Sequence, residues 1–253
     1  MVGSSNASEE LDGSPGGGGA RRFADSWRQR LVTMPLLSRA AEFGGGVRRR
    51  ARAELGGLQP IKHPSAHDAP TRWETFYADG YDPYGYRTSG YEQRKFDLTV
   101  ASLPQLRYRN AYEPGCSIGE LTERLAPRCD RLLASDVSQQ AVERNRRRLE
   151  HLPHVEIVRH ELPADFPEGP FDLVLFSEMG YYLPRSTLAE LIERMVTSLE
   201  PGGNLVAVHG RGVSPEIFQP GDLVHRRILL TRGLRHLGSY REPAFRIDLF
   251  ARR

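Results

Sequence analysis

Glu113-Pro114-Gly115-Cys116-Ser117-Ile118-Gly119 is the stretch whose reading decides the fold. Apolar residues over 110–113 predict a strand immediately before it, and 119–126 predicts a helix immediately after. A glycine-containing turn between a strand and a helix is where an α/β sheet binds a nucleotide-like ligand, outside the carboxyl ends of its strands. Gly115 lets the backbone turn sharply there, and Gly119 lets the helix begin close to the ligand. The small residues Cys116 and Ser117 leave room between them.

Working outward, short apolar strands alternate with helical stretches. The strands are predicted over 131–135, 155–159, 171–177 and 204–209, and the helices over 138–152 and 186–199, with an earlier helix over 89–103. That alternation implies a parallel sheet covered by helices on both faces, a Rossmann-like α/β architecture. The end of the chain differs. A helix over 223–234 precedes strands over 237–240 and 245–250, and the connection between these strands is short enough to permit only an antiparallel hairpin.

The loop excludes a common alternative. A dinucleotide dehydrogenase would carry G-x-G-x-x-G facing a pyrophosphate, but Ser117 stands where the second glycine belongs. Glu113 at the strand end would also repel a pyrophosphate, whereas it suits the ammonium of a methionine moiety. The chemistry favours a cationic sulfonium cofactor. Asp136 ends the next strand, 17 residues after Gly119, where a carboxylate can accept the ribose hydroxyls of an adenosine; Val137 lies beside it. Asp136 can also help cap the following helix, although Ser138 can cap that helix alone. After the third strand, Glu161 and Leu162 are candidates to read an adenine edge. Ser177, at the end of the fourth strand, completes the candidate cofactor contacts.

The whole chain has 253 residues, enough for one such domain and an extension. Residues 1–70 read as a disordered or partly helical arm: 1–20 are rich in Gly and Ser, and 21–43 carry only a weak amphipathic pattern (Phe23, Trp27, Leu31) interrupted by Pro35. Pro60, Pro64 and Pro70 mark a linker, which places the domain over 71–253. The arm holds 10 Lys+Arg against 7 Asp+Glu, while 71–253 holds 25 of each. The domain thus has no basic bias to draw it to nucleic acid, and a small-molecule partner is expected. No run approaches 18 apolar residues and the N-terminus lacks the apolar core of a secretory signal, so no membrane span and a cytoplasmic location are expected. Cys116 and Cys129 read as packing residues, and His151, His154 and His160 form no metal-ligand pattern. The sequence does not specify an oligomeric state.

With these residues in hand, the chain resembles class I S-adenosylmethionine-dependent methyltransferases, and more narrowly those like nodulation protein S. The resemblance is carried by Trp73-Glu74 with Tyr77, Asp82-Pro83-Tyr84, Tyr91-Glu92 with Arg94-Lys95, the 113–119 loop, Ser135-Asp136, and Phe171-Asp172-Leu173-Val174 through Glu178 to Tyr181-Tyr182-Leu183. It covers roughly 73–253. Tyr84 departs from it, standing where such proteins often have tryptophan. The resemblance implies a seven-stranded sheet with its last strand antiparallel, S-adenosylmethionine as cofactor, and an N-terminal helical cover made by Trp73, Tyr77, Tyr91 and Arg94. Aromatic faces beside a sulfonium contribute about 0.5–2 kcal/mol, and Arg94 is the candidate for the methionine carboxylate.

Methyl transfer requires a positioned, deprotonated acceptor. Glu178 and Tyr181, with Tyr182, follow the fourth strand and are expected to face the reacting methyl. His209, ending the fifth strand, is the other catalytic candidate, whereas Asp172 is assigned to the strand start. Three functions stay open on the residues: methyl transfer to an amino group of a sugar or similar metabolite, transfer to oxygen, or a non-catalytic cofactor-binding relative acting through the arm. A nucleotide-dependent oxidoreductase is disfavoured by Glu113.

Overall fold

The computed structural model describes residues 69–78, 82, 84–214 and 216–253. The expectations for the arm and linker before residue 69 lie outside the described residues. The elements are α1 (Ala69–Phe76), α2 (Gly90–Ala101), β1 (Ala111–Pro114), α3 (Glu120–Leu125), β2 (Leu132–Asp136), α4 (Gln139–Leu149), β3 (Val155–Arg159), β4 (Phe171–Ser177), α5 (Arg185–Ser198), β5 (Leu199–Gly210), α6 (Gly221–Leu229), β6 (Leu234–Arg241) and β7 (Phe245–Arg252). Pro70 sits in the first turn of α1, where its missing N–H costs no helical hydrogen bond.

Seven strands form one sheet in the order β3-β2-β1-β4-β5-β7-β6. Strands β1 to β5 pair in parallel, and β7 runs antiparallel to both β5 and β6. The chain proceeds outward from β1 to β3, then returns to place β4 on the other side of β1. That reversal opens a crevice at the carboxyl ends of β1 and β4, the position at which such sheets bind ligands.

Strand alternation assigns the two faces. Leu173 and Leu175 of β4 pack with Phe96 of α2 and with Leu121 and Leu125 of α3. Val174 and Phe176 pack with Leu188, Leu191, Ile192 and Met195 of α5. A central strand buried on both faces reads as a continuous apolar run, which is why 171–177 was recognisable. Each of these fully buried aliphatic side chains contributes about 1.5–3 kcal/mol relative to exposure.

Two boundaries differ from expectation. Strand β5 begins at Leu199, because Leu199 pairs with Phe171 before a register shift carries the chain through Gly202 and Gly203 to the Leu173–Asn204 pair. Helix α6 ends at Leu229 and β6 already begins at Leu234, with Gly233 in the left-handed region (φ 86°) reversing the chain between them.

Asp172 joins the start of β4 to the entry of β1: its carboxylate accepts the backbone N–H of Arg109 at 2.7 Å and of Asn110 at 2.9 Å. Asp172→Ala leaves both donors without this partner and is expected to lower unfolding free energy by about 2 kcal/mol, measured by urea denaturation. A change within experimental error would remove Asp172 as the tie between these strands.

Candidate functional site

The 113–119 loop holds three left-handed residues within five positions: Gly115 (φ 74°), Ser117 (φ 52°) and Gly119 (φ 85°). For Ser117 that conformation costs about 1–2 kcal/mol, and it is held by two bonds. The Ser117 N–H donates to Asp136 Oδ2 at 2.9 Å, and the Tyr77 hydroxyl donates to Ser117 Oγ at 2.7 Å. The N–H groups of Gly115 and Cys116 both donate to the Ser135 carbonyl, at 2.7 and 2.8 Å. Gly119 is required from behind the loop: a Cβ there would lie 2.2 Å from Oδ1 of Asn145 on α4. Asn145 also donates to Cys116 Sγ at 3.3 Å and Thr122 Oγ1 at 3.5 Å. This brace has no local signature, because Asn145 lies inside an arginine-rich helix. Burial pushes the Cys116 thiol well up, so it packs as an inert side chain.

Glu113 ends β1 beneath the loop, 2 % exposed. Burial pushes its carboxyl up to about 8, against the lowering effect of a hydrogen bond from Thr122. Its Oε2 has no hydrogen-bond partner among the described residues. In the unfolded chain the group sits near 4.5, so the folded protein holds a proton that the unfolded chain releases, and the stability contribution falls as pH rises from about 4.5 to 8. A buried acceptor oxygen with nothing to accept fits a cation better than a phosphate.

Asp136 ends β2. Its other oxygen accepts the Ser138 N–H at 3.0 Å, and burial raises its pKa against these bonds. Helix α4 is capped by Ser138 itself, whose Oγ accepts from Ala141 N–H at 3.3 Å. Ser138 also donates to Glu74 Oε2 of α1 at 2.8 Å. Val137 is half-buried beside this junction. Beyond β3, Glu161 is exposed and its N–H donates to Asp165 at 2.9 Å, while Leu162 packs against the core. Ser177 is half-buried at the end of β4.

The other side of the crevice is built on 178–182. Glu178 is forced into the left-handed region (φ 54°), and its N–H donates to the Val208 carbonyl at 2.8 Å. Tyr181, buried, donates its hydroxyl to Glu178 Oε2 at 2.5 Å. Burial, with Glu178 adding to it, raises the Tyr181 phenol well up, so it acts as a donor. Lys95 of α2 faces the same carboxylate: its ammonium is 3.4 Å from Glu178 and 2.9 Å from Glu92. Lys95 is 2 % exposed. Burial disfavours its charge, but Glu178 and Glu92 outweigh burial and raise its pKa. Burial likewise raises Glu92, against the effect of Lys95.

An aromatic wall stands over this cluster. Trp73 meets Tyr182 edge-on at 4.8 Å and Tyr77 stacked at 6.5 Å. Phe76 lies 5.1 Å from Tyr84, whose hydroxyl bonds that of Tyr182 at 2.9 Å. Tyr77 therefore joins the wall to the glycine loop. Tyr91 does not reach the loop; it sits edge-on to Phe245 at 5.9 Å, under the Lys95 ammonium at 5.1 Å.

Two expectations need correction. Arg94 is exposed and turned away, with its guanidinium 2.8 Å from both Glu242 and the Tyr240 hydroxyl. One position on a helix is a rotation of about 100°, and the cation that α2 directs inward is Lys95. His209 is completely buried. Its Nε2 accepts the Gly180 N–H at 3.1 Å, which makes it a support of the 178–182 turn.

Among the described residues, no helix is long and apolar enough to cross a membrane. A profile of the nodulation protein S (NodS) family matches residues 77–214. Nodulation protein S of Rhizobium tropici is 35 % identical over 129 residues, 49 % of this chain and 53 % of that protein. That of Sinorhizobium fredii is 32 % identical over 49 % of this chain and 59 % of its own length. The chain thus spans about half the length of the curated relatives it matches. Among solved structures, a putative methyltransferase from Pseudomonas syringae is 41 % identical with TM-score 0.58, covering 65 % of this chain and all of that one. N-methyltransferase NodS from Bradyrhizobium japonicum, in complex with S-adenosyl-L-homocysteine, is 23 % identical with TM-score 0.65, over 75 % of this chain and 99 % of that one. The profile match extends over more than half of the sequence and takes in the glycine loop, Asp136 and the 178–182 turn: the chain belongs to the nodulation protein S family.

Proposed function

We propose that the chain is an S-adenosylmethionine-dependent methyltransferase acting on an amino group of a small molecule such as an amino sugar. The observation that carries the cofactor is Glu113, a buried carboxylate with an unpartnered oxygen below a glycine loop. Glu113 would hold the amino end of the cofactor, Asp136 the ribose, and Tyr77 and Trp73 would cover the methionine side. Glu161 and Leu162 border the place where an adenine would lie. The likeness to a putative methyltransferase from Pseudomonas syringae and to N-methyltransferase NodS from Bradyrhizobium japonicum supports the same reading. When bound, S-adenosylmethionine supplies a methyl group on a sulfonium that already carries the driving force for transfer.

The chain's own residues then position the acceptor and handle its proton. Glu178 and Tyr181 are locked together at the carboxyl end of β4. Glu92 and Glu178 against Lys95 give a formal charge of −1, which draws a protonated amine toward the crevice. Glu178 accepts the ammonium proton, so the nitrogen lone pair is exposed, and Tyr181 fixes which carboxylate oxygen faces the amine. The aromatic wall from Trp73 to Tyr182 limits water access to the reacting atoms. The balanced charge of residues 71–253 supports a small-molecule acceptor over nucleic acid.

Calorimetric titration tests the cofactor. S-adenosylmethionine and S-adenosylhomocysteine should each bind saturably, Asp136→Ala should weaken both about 100-fold, and NAD should not bind. Absence of binding by the wild type would overturn the assignment. With glucosamine as probe, the protein should form S-adenosylhomocysteine, and Glu178→Gln should lower kcat by about 10²–10⁴ while cofactor affinity stays within threefold. Turnover with a hydroxylated probe but not with glucosamine would move the acceptor atom from nitrogen to oxygen.

A further inference from the structure

Behind the 178–182 turn lies a buried polar chain that no step of the proposed reaction uses. The Gly180 N–H donates to His209 Nε2 at 3.1 Å, so that nitrogen carries no proton. His209 Nδ1 therefore carries it and faces His225 Nε2 at 3.1 Å. That contact makes His225 Nε2 the acceptor and leaves its Nδ1–H to donate to Asp248 Oδ2 at 2.5 Å. Each link fixes the tautomer of the next, and the direction of donation is the same at His209 and His225. The chain ends on a charge. Asp248 also accepts from Ser239 and meets Arg246 at 2.6 Å and His236 at 3.4 Å.

The surroundings keep both imidazoles neutral. His209, His225 and Asp248 are all completely buried. Phe176, Tyr181 and His225 enclose the His209 ring at centroid distances of 5.1, 5.5 and 5.0 Å. Burial, together with His225, Lys95 and Arg246, disfavours a charge on His209, against an opposing effect of Asp248. Gly180 is clamped in turn: a Cβ there would lie 2.7 Å from Val224 and 2.9 Å from both His209 Nε2 and Phe176. The turn follows Glu178, whose left-handed backbone needs outside support.

We infer that His209 and His225 are positioning residues, and that the chain from Asp248 to the Gly180 N–H fixes the turn that carries Glu178 and Tyr181. The inference rests on the proposed reading for its catalytic consequence, while the relay itself is independent of it. Strand β7 supplies the anchor, α6 the middle link and β5 the last, so a change at His225 reaches the Gly180 turn through His209.

The test uses the full chain with ¹⁵N-labelled histidine at pH 7, together with the amide exchange rate of Gly180. Wild type should show both His209 and His225 as the neutral Nδ1–H tautomer. His225→Phe removes the acceptor of the His209 Nδ1–H, so His209 should lose its single tautomer. The Gly180 amide should then exchange about 10- to 100-fold faster. His209→Phe should expose the same amide, whereas His209→Gln, which retains an acceptor at the Nε2 position, should restore its protection. Turnover of glucosamine at saturating S-adenosylmethionine should fall by a similar factor in His225→Phe, with S-adenosylhomocysteine affinity within threefold of wild type. A wild-type His209 protonated at Nε2, or Gly180 protection unchanged in both Phe variants, overturns the inference. Wild-type protein inactive on glucosamine would count against the proposed acceptor, and the tautomers and amide exchange would still decide the relay.

Discussion

Three successive backbone N–H groups of the glycine loop are bonded to the end of β2: those of Gly115 and Cys116 to the Ser135 carbonyl, and that of Ser117 to Asp136. The rest of the site depends on this seam. It holds Ser117 in a left-handed conformation and presents Ser117 Oγ to Tyr77, beside Glu113, one of whose carboxylate oxygens is buried without a hydrogen-bond partner among the described residues. The loop is thus tied to its own sheet, which would keep the proposed anchor for a cofactor's amino group preorganised.

The two sides of the crevice are held by different physics. On the loop side, backbone bonds and one buried carboxylate do the work. On the side of the 178–182 turn, Lys95 arrives from α2, Glu178 and Tyr181 from the turn after β4, and the support for that turn from β5, α6 and β7. The aromatic wall from α1 bridges the sides through Tyr77. The same sheet serves unrelated chemistries in other proteins, so the argument for function rests on these side chains and not on the fold.

What could be read from the sequence was what is local. The 113–119 loop, Asp136 at the next strand end and the apolar run 171–177 each carry their meaning in a few adjacent residues, and the structure places them on the neighbouring interior strands β1, β2 and β4. The antiparallel ending was legible from the short connection before Phe245. The misreadings needed tertiary information. Lys95 was hidden in a charged run, although it shares a helix face with Phe96 and Thr99, which are also buried; that periodicity was the available signal. His209 was placed correctly at a strand end, but its depth depends on α6 closing over it with His225. Asn145 had no local signature at all, because its role is to abut Gly119 from a separate helix.

The central proposal is that Glu113 is a protonated carboxyl, with one oxygen unpartnered among the described residues, that ionises against the cofactor's ammonium. Burial pushes its carboxyl up to about 8, which favours the protonated form at pH 7. A cation favours the ionised form, so binding expels that proton. The direct measurement is calorimetric titration of S-adenosylhomocysteine at pH 7 in buffers of different ionisation enthalpy. Release of close to one proton by the wild type, lost in Glu113→Gln, is the result this account predicts. Saturable binding with no proton released, or the same release in wild type and Glu113→Gln, would contradict it.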